Sequence, residues 1–191
     1  MSWEDEALQR LRATAHPVRL RIMSLLTGAE LSAAEVAREL DLTQANASYH
    51  LRRLSDAGKV EVVGTQNVRG GKAKKYRYTE FRGSDDGPQP WRGAESSPGS
   101  LQAILEAVGV ELQRRAAQHG HHPAVQTQQV FADLETWLPP EVWAQVVDHV
   151  EQASRLAHAA ALPPRTEGAV PVSIVASLFT MPGEAAGTER S

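Results

Sequence analysis

The sequence predicts a mainly α-helical protein with a small amount of β-structure. Apolar residues recur at helical spacing in several separate stretches of the chain. In residues 60–79, apolar and polar side chains alternate on both sides of a pair of glycines, as they do in the two strands of a β-hairpin. Ten of the 17 residues at 83–99 are Gly, Pro or Ser, which is typical of a linker. We therefore expect one domain at 1–82 and a separate C-terminal region at 100–191.

The first two predicted helices lie before residue 28. Residues 3–11 carry a rough apolar stripe formed by Trp3, Ala7, Leu8 and Leu11. A second helix is expected to begin at Pro17, because proline suits the first helical position. Its apolar residues recur at i, i+4, i+7 and i+8, and they are Val18, Ile22, Leu25 and Leu26. Gly28 would end this helix.

Two shorter helices follow, separated by a turn at residues 41–42. Ser32 and Glu35 have the three-residue spacing of a capping box, which predicts the start of the third helix. Thr43 is a suitable N-cap for the fourth helix, which should run to about residue 57. Gly58 then supplies a left-handed stop. Two helices joined by so short a turn predict a helix-turn-helix.

The fourth helix separates into an inner and an outer face. Ala47, Leu51 and Leu54 lie at i, i+4 and i+7 and are expected to pack inward. The residues that point the opposite way are Ala45, Ser48, Tyr49 and Arg52. Gln44 projects from the first turn, where recognition helices meet the floor of the DNA major groove. Asn46 and His50 lie on the flanks of this face and could contact either a base or a phosphate.

The outer face offers side chains that can read DNA. Gln can bond adenine with two hydrogen bonds, Ser can donate or accept one, and Ala can contact a thymine methyl group. Arg52 and Arg53 are long enough to reach a phosphate or a guanine. A polar solvent face on an ordinary surface helix would show the same composition, so this helix alone favours neither interpretation.

The predicted hairpin favours DNA binding. Five cations lie within nine residues around Gly70 and Gly71, and they are Arg69, Lys72, Lys74, Lys75 and Arg77. We expect a turn at 67–72, with the strand before it at 60–63 and the returning strand at 74–79. Such cations can displace the counterions of a duplex, although an edge hairpin can also be charged for solubility alone. A helix-turn-helix followed directly by a basic hairpin predicts a winged helix-turn-helix domain that binds double-stranded DNA. The candidate hairpin contacts are Arg69, Lys72 and Lys74.

The charge distribution supports this division. The net charge is −3, yet residues 1–82 contain 14 Lys/Arg and 10 Asp/Glu, a balance of +4. Residues 83–191 contain 6 and 13, a balance of −7. Residues 42–82 alone have a balance of +6, from 9 basic and 3 acidic side chains. This asymmetry indicates a nucleic-acid-facing part joined to a part with another role.

The sequence over residues 6–82 resembles the ArsR family of bacterial winged-helix transcriptional regulators. The segments that match are HPVRLRIMSLL, TQANASYHLRRLSDAGKV and GGKAKKYRYTE. The resemblance implies a homodimeric repressor that binds an inverted repeat. It also implies that Gln44, Ala45, Ser48 and Tyr49 contact the DNA, in agreement with the helical wheel.

The chain departs from this family in its sensing residues. The founding members sense metals through cysteines, and this chain has no cysteine. Other members use Asp and His on the helix that follows the wing, and residues 100–118 offer no such pair. His119, His121 and His122 could bind a metal, but a loop cluster without a carboxylate is more often simply solvated. We expect no metal and no cofactor.

The C-terminal region is expected to be α/β and to dimerise or sense a signal. An amphipathic helix at 100–118 is expected to contribute to a dimer interface. Residues 128–138 fit either a helix or a buried strand, and another helix should start at residue 140. Residues 170–181 are rich in β-branched side chains and predict a strand. If 128–138 is also a strand, the three elements form a right-handed β-α-β crossover.

Three aromatic residues are the candidates for an effector site. Phe131, Trp137 and Trp143 would most simply form a core, and the alternative is an apolar pocket for a small molecule. Asp133 and Glu135 invite an acid–base role, but no nucleophile or phosphate-binding loop accompanies them, so no enzyme is expected. No apolar run approaches the roughly 20 residues that span a bilayer, and the N-terminus is charged. A cytoplasmic location with no membrane partner is the default expectation.

These observations predict a sequence-specific DNA-binding transcriptional regulator, a repressor that acts as a homodimer. Two alternatives remain open. The C-terminal region could bind a small molecule that controls DNA binding, or the chain could be a protein-interaction module that has lost DNA binding. The operator, the regulated genes, the effector and the choice between repression and activation do not follow from the sequence.

Overall fold

The computed structural model describes residues 14–68, 71–79, 98–118, 120, 124–125 and 130–181, with the backbone alone for 98–100. These residues form five helices and three strands. The helices are α1 (Pro17–Thr27), α2 (Ala33–Leu40), α3 (Gln44–Asp56), α4 (Pro98–Ala117) and α5 (Pro140–Ala159). The strands are β1 (Leu31–Ser32), β2 (Val60–Val68) and β3 (Gly71–Tyr78). The predicted fold class, mainly α with small β in a winged helix-turn-helix, is confirmed.

The core of the first half lies where α1, α2, α3 and the sheet meet. Its largest fully buried side chains come from all of these elements, and they are Ile22, Leu26, Val36, Leu51, Leu54 and Val60. Tyr76 and Tyr78 of β3 pack against this core. Burial of this kind stabilises a fold by about 1.5–3 kcal/mol for each large aliphatic side chain. It fixes α3 against the rest of the domain.

Local signals begin and end the helices as predicted. The capping box at α2 is complete, because the Glu35 amide donates to Ser32 Oγ and the Ser32 amide donates to Glu35 Oε2 at 2.7 Å. Thr43 Oγ1 accepts the Asn46 amide at the start of α3. At its end, Gly58 adopts a φ of +68°. The Gly58 amide donates to Ser55 O and the Lys59 amide to Leu54 O, the two hydrogen bonds of a Schellman motif.

The three strands form an antiparallel sheet in the order β1-β3-β2. The predicted turn at 67–72 is too long. Asn67 pairs with Lys72 and Val68 with Gly71, so the strands continue to within two residues of each other. A β-bulge interrupts the register between Val62 and Gly64. Beyond the bulge, Thr65 and Asn67 of β2 lie opposite Lys74 and Lys72 of β3, on the same face of the sheet.

Helix α4 of the C-terminal region packs against α1, and the chain that follows α5 contacts the first half at two further points. A Cβ atom added at Gly28 would clash with the backbone carbonyl of Leu162, so the chain that follows α5 lies directly on the end of α1. Three residues later, Arg165 donates two hydrogen bonds of 2.9 Å to the two carboxylate oxygens of Glu39 on α2. We call Leu162–Arg165 the joint. It fixes the chain that leaves α5 to the helix-turn-helix.

The α/β prediction for the C-terminal region is wrong in its strands. Residues 130–138 and 170–181 form neither helix nor strand, whereas α5 begins at Pro140 as predicted. A strand needs a neighbour for its backbone hydrogen bonds, and the described residues of a single chain supply none to either segment. Over these residues, the β-α-β crossover is therefore not formed.

Several predicted features lie outside the described residues. They are the helix at 3–11, Arg69 at the hairpin tip, most of the linker at 83–99, and His119, His121 and His122. Helix α4 begins at Pro98, so it includes the last two residues of the predicted linker. The domain boundaries at 82, 99 and 100 stay predictions.

Candidate nucleic-acid interface

Helix α3 has one face in the core and the other in solvent. Ala47, Leu51 and Leu54 are fully buried, as the helical periodicity predicted. The exposed residues before the last turn form a continuous outer face, and they are Gln44, Ala45, Asn46, Tyr49, Arg52 and Arg53, while Asp56 is exposed at the end of the helix. Ser48 is half-buried at the edge of this face. All of the predicted reading residues therefore lie on one side of the helix, and only Ser48 is partly covered.

The guanidinium groups on the outer face of α3 have no acidic partner among the described residues. None of the ion pairs in that part of the chain involves Arg52 or Arg53. Arg52 Nε donates to the Ser48 carbonyl oxygen at 3.3 Å, a contact within the same helix that a nearby phosphate could replace. Tyr49 is 52% exposed, so its hydroxyl can reach outward. The face can donate and accept hydrogen bonds without first breaking a salt bridge.

The prediction that His50 lies on a flank of α3 and could contact DNA is wrong. His50 is buried, its ring lies 4.8 Å from that of His16, and its Nδ1 has no hydrogen-bond partner among the described residues. Burial lowers the pKa of His50, and His16 and Arg19 lower it further. A buried imidazole between other basic groups is favoured in its neutral form. His50 supports α3 from behind.

Arg19 of α1 is a candidate contact that the sequence pattern missed. Its pKa is lowered, first by burial and then by Arg53, while Tyr49 raises it. These interactions place Arg19 beside the middle of α3, where its positive charge adds to that of Arg53. The i, i+4 periodicity of α1 marks only core positions, so nothing in the sequence indicated that Arg19 lies against another helix.

The four described cations of the hairpin divide into two groups. Lys75 Nζ donates to both Glu35 oxygens, at 2.7 and 2.9 Å, and to the Glu30 carbonyl oxygen at 3.3 Å. Arg77 pairs with Glu61 at 2.7 Å and with Glu30 at 3.3 Å. Both cations are thereby engaged within the domain. Lys75 in particular connects β3 to the N-terminal turn of α2.

Lys72 and Lys74 are the exposed cations of the described hairpin. They share a face of β3 because side chains alternate along a strand, and the residues opposite them are Asn67 and Thr65. No ion pair of the described residues involves either lysine. Of the predicted hairpin contacts, these two are available for phosphate, and the role of Arg69 stays a prediction.

The predicted effector residues do not enclose a cavity within the described part of one chain. Phe131 is 86% exposed and Trp137 is 81% exposed, while Trp143 is half-buried on α5. Residues 130–138 form no strand, and most of their large apolar side chains lie in solvent. An effector role for these three residues stays a prediction.

Neither a metal centre nor a membrane span occurs among the described residues. No three of their His, Asp or Glu side chains are grouped so that they could hold a metal ion. None of their helices is long and apolar enough to cross a membrane.

Comparison with known proteins agrees with the geometry of the first half. A family model described as a helix-turn-helix domain matches residues 14–63, which is 50 of the 191 residues. The match spans α1, β1, α2, α3 and the start of β2. Residues 14–63 therefore form a helix-turn-helix domain.

Among solved structures, the chain is similar to the crystal structure of the transcriptional repressor BigR from Xylella fastidiosa. The two are 23% identical, and the similarity covers 62% of this chain and 91% of that chain with a TM-score of 0.34. No curated protein matches the chain. Neither similarity names the ArsR family, so membership in it stays a prediction.

Proposed function

We propose that this protein is a sequence-specific transcriptional regulator that inserts α3 into the major groove of double-stranded DNA. The division of α3 supports this role most directly. One face is sealed in the core by Leu51 and Leu54, and the opposite face presents amide, hydroxyl and guanidinium groups to solvent. A recognition helix needs this combination, because a fixed inner face positions the outer face for hydrogen bonds to base edges.

The residues of α3 then have two roles. Gln44, Ala45 and Asn46 belong to the first turn and contact base edges, together with Ser48 and Tyr49 one turn further on. Arg52 and Arg53 lie nearer the end of the helix and contact phosphate or guanine. Arg19 strengthens the positive potential beside Arg53.

The hairpin contacts the DNA backbone next to the groove. Arg69, Lys72 and Lys74 supply charge that depends on no base sequence, so they raise affinity for all duplexes and steer association. Lys75 and Arg77 hold the hairpin in position instead, through Glu35 and Glu61.

Two copies of the chain are expected to bind together to an inverted repeat and to repress transcription. A symmetric dimer addresses two half-sites about 34–36 Å apart, one turn of the duplex. The resemblance of residues 6–82 to ArsR regulators supports both the dimer and the repression. We propose that α4 of one copy contacts the other copy, at the part of the dimer interface nearest the DNA-binding domain. Leu105, Val110 and Leu112 are exposed on this helix.

The base-reading role is tested by selecting bound sequences from a randomised duplex library. Gln44→Ala should relax the preference at one position of each half-site, because its side chain can no longer make a paired contact. Gln145→Ala, on the exposed side of α5, is the matched control and should leave the preference unchanged. An identical preference for the Gln44→Ala variant and the parent would contradict the assignment.

The hairpin role is tested by measuring affinity across a range of salt concentrations. Changing Lys72 and Lys74 together to Ala should weaken binding to every sequence. The slope of log K against log salt should become shallower by about 0.9 for each phosphate that the variant no longer neutralises. Lys75→Gln is the matched control, because it removes a cation that is paired within the domain. If the control flattened the slope as much as the double variant, the division of the cations would be wrong.

A further inference from the structure

The C-terminal region exposes an unusual amount of apolar surface in two segments. We call residues 130–138 the first apolar segment and residues 170–181 the second. Their exposed large side chains are Val130, Phe131, Leu134, Trp137, Leu138, Val172, Ile174, Val175, Leu178, Phe179 and Met181. At roughly 100–200 Å² for each such side chain, they present on the order of 1,000 Å² per chain. The largest apolar patch of a typical soluble monomer is about 300–600 Å².

The backbone of these segments is also without partners. Within the described residues, neither segment forms a backbone hydrogen bond. The second segment contains no charged side chain, and its β-branched residues at 170, 172, 174 and 175 are those that favour a strand. Arg115 of α4 donates a hydrogen bond of 3.4 Å to Ser173 of this segment. The sequence of the second segment favours a strand, but the single chain forms none there. Such a disagreement is expected when the neighbouring strand belongs to another molecule.

We propose that both apolar segments pack against the same segments of a second copy of this chain, with the second segment pairing as an antiparallel strand across the two-fold axis. The proposal rests on the homodimer of the proposed function and names the surface that forms it. A stable interface buries about 800 Å² from each partner, which the exposed area of the two segments meets. A second copy is the one partner that always presents an identical apolar surface, as an isologous contact requires.

The joint makes this contact relevant to DNA binding. The second segment starts five residues after Arg165, which is bonded to Glu39 of the helix-turn-helix. Leu162 lies against Gly28 at the end of α1. Pairing of the second segments would therefore set the distance between two recognition helices through a short, attached stretch of chain.

The oligomeric state of the full chain tests the proposal. The parent should be a dimer in equilibrium sedimentation, and Phe131→Ser and Ile174→Ser should each raise the dimer dissociation constant about 10- to 100-fold. Val62→Ser is the control, because Val62 is also an exposed apolar residue, at 44%, but lies on β2. Both tested side chains are exposed in the single chain, so circular dichroism spectra should match the parent. A monomeric parent, or dimers unaffected by both substitutions, would overturn the proposal.

Cysteine cross-linking provides a second test, which detects the pairing itself and not a weakened interface. The chain has no cysteine of its own. Each residue from 172 to 178 is changed singly to Cys and oxidised. Antiparallel pairing about a two-fold axis brings the central residue of the pairing directly against its own copy, so the variant at that position should form covalent dimers, while Thr65→Cys on the hairpin should not. Cross-linking at none of the seven positions would contradict the strand pairing.

DNA binding separates failure of this proposal from failure of the proposed function. If the parent binds DNA as a dimer and the segment variants behave like it, the interface lies elsewhere and the regulator remains. If the parent dimerises through the segments but binds no duplex in the sequence selection, the interface stands and the proposed function fails.

Discussion

Large apolar side chains are buried in the first half of the molecule and exposed in the second. Leu51 and Leu54 of α3 are fully buried in a core built from α1, α2 and the sheet. Phe131 and Trp137 are larger and have more apolar area, yet more than four-fifths of each is exposed. The difference lies in the backbone. A helix satisfies its own hydrogen bonds, whereas a strand depends on a neighbour, and the described residues of the second half offer no such neighbour within one chain.

The largest expected effect tests this contrast directly. Leu51→Ala should lower the free energy of unfolding by about 2–5 kcal/mol, because it leaves a cavity in a closed core. Phe131→Ala should change it by less than about 0.5 kcal/mol, as surface substitutions do. Both are measured by urea unfolding at a protein concentration at which the chain is monomeric, because dimer formation would add its own stability. A loss at Phe131 equal to that at Leu51 would mean that residues 130–138 are packed within the single chain.

The contrast also explains how much of the molecule could be predicted. In the first half, α1 to α3 have local signals that the structure confirms, such as the Ser32–Glu35 capping box and the left-handed Gly58, whereas strand β1 was not predicted. The inner face of α3 followed from spacing alone. The burial of His50 and the place of Arg19 beside Arg53 did not, because both depend on how α1 crosses α3, and no periodicity within one helix records a crossing.

In the second half, the sequence predicted helix α5 correctly and predicted strands that the described residues do not form. Helix α5 follows from its proline start and its apolar side. The β-branched residues of 170–181 predicted a strand, but the partner of a strand is a non-local property. The same limit applies to the core expected at Phe131, Trp137 and Trp143, and to its alternative, an effector pocket, because both required residues 128–138 to be packed.

The next largest effect is expected at the joint between the halves. Gly28→Ala places a Cβ against the Leu162 backbone, which cannot move as a flexible side chain would. We expect a loss of about 1–3 kcal/mol in the free energy of unfolding, typical of overpacking. The measurement is urea unfolding of the full chain. The double variant Gly28→Ala, Glu39→Gln, which also removes the charge that pairs with Arg165, is measured in the same way. The double variant should be little worse than Gly28→Ala alone if the clash has already separated the joint.

Gly109→Ala is the control for this substitution. Gly109 lies inside α4, and a Cβ there meets no atom within 4 Å. The same change of residue should stabilise the protein by roughly 0.5–1 kcal/mol, because alanine favours a helix interior. Opposite signs at the two glycines would show that contact with Leu162, and not the loss of glycine flexibility, causes the effect at Gly28. Equal signs would mean that the joint is loose.

The smallest effect concerns two ion pairs, one from each half of the molecule. Burial alone would raise the pKa of Glu35, but hydrogen bonds from Lys75 and Ser32 outweigh it and lower that pKa to about 2. Because the pKa is lower in the folded protein than the ordinary value of 4.5, the ionised carboxylate stabilises the fold above pH 4.5, and this contribution is lost as the pH falls towards 2. Asp148 and Arg155 on α5 are separated by 3.8 Å, and Asp148 is 57% exposed. Such pairs contribute about 0–1 kcal/mol.

Glu35→Gln isolates the charge, because glutamine can still accept the capping hydrogen bond from the Ser32 amide. We expect the variant to be less stable than the parent by about 1–2 kcal/mol at pH 7, after allowance for solvent screening of a pair that is about a quarter exposed. The difference should shrink below pH 4.5 and vanish near pH 2, whereas Asp148→Asn should differ little from the parent at any pH. Thermal unfolding across that range measures both. A constant deficit for Glu35→Gln from pH 7 to pH 2 would mean that its packing, and not its ion pair with Lys75, holds the hairpin to α2.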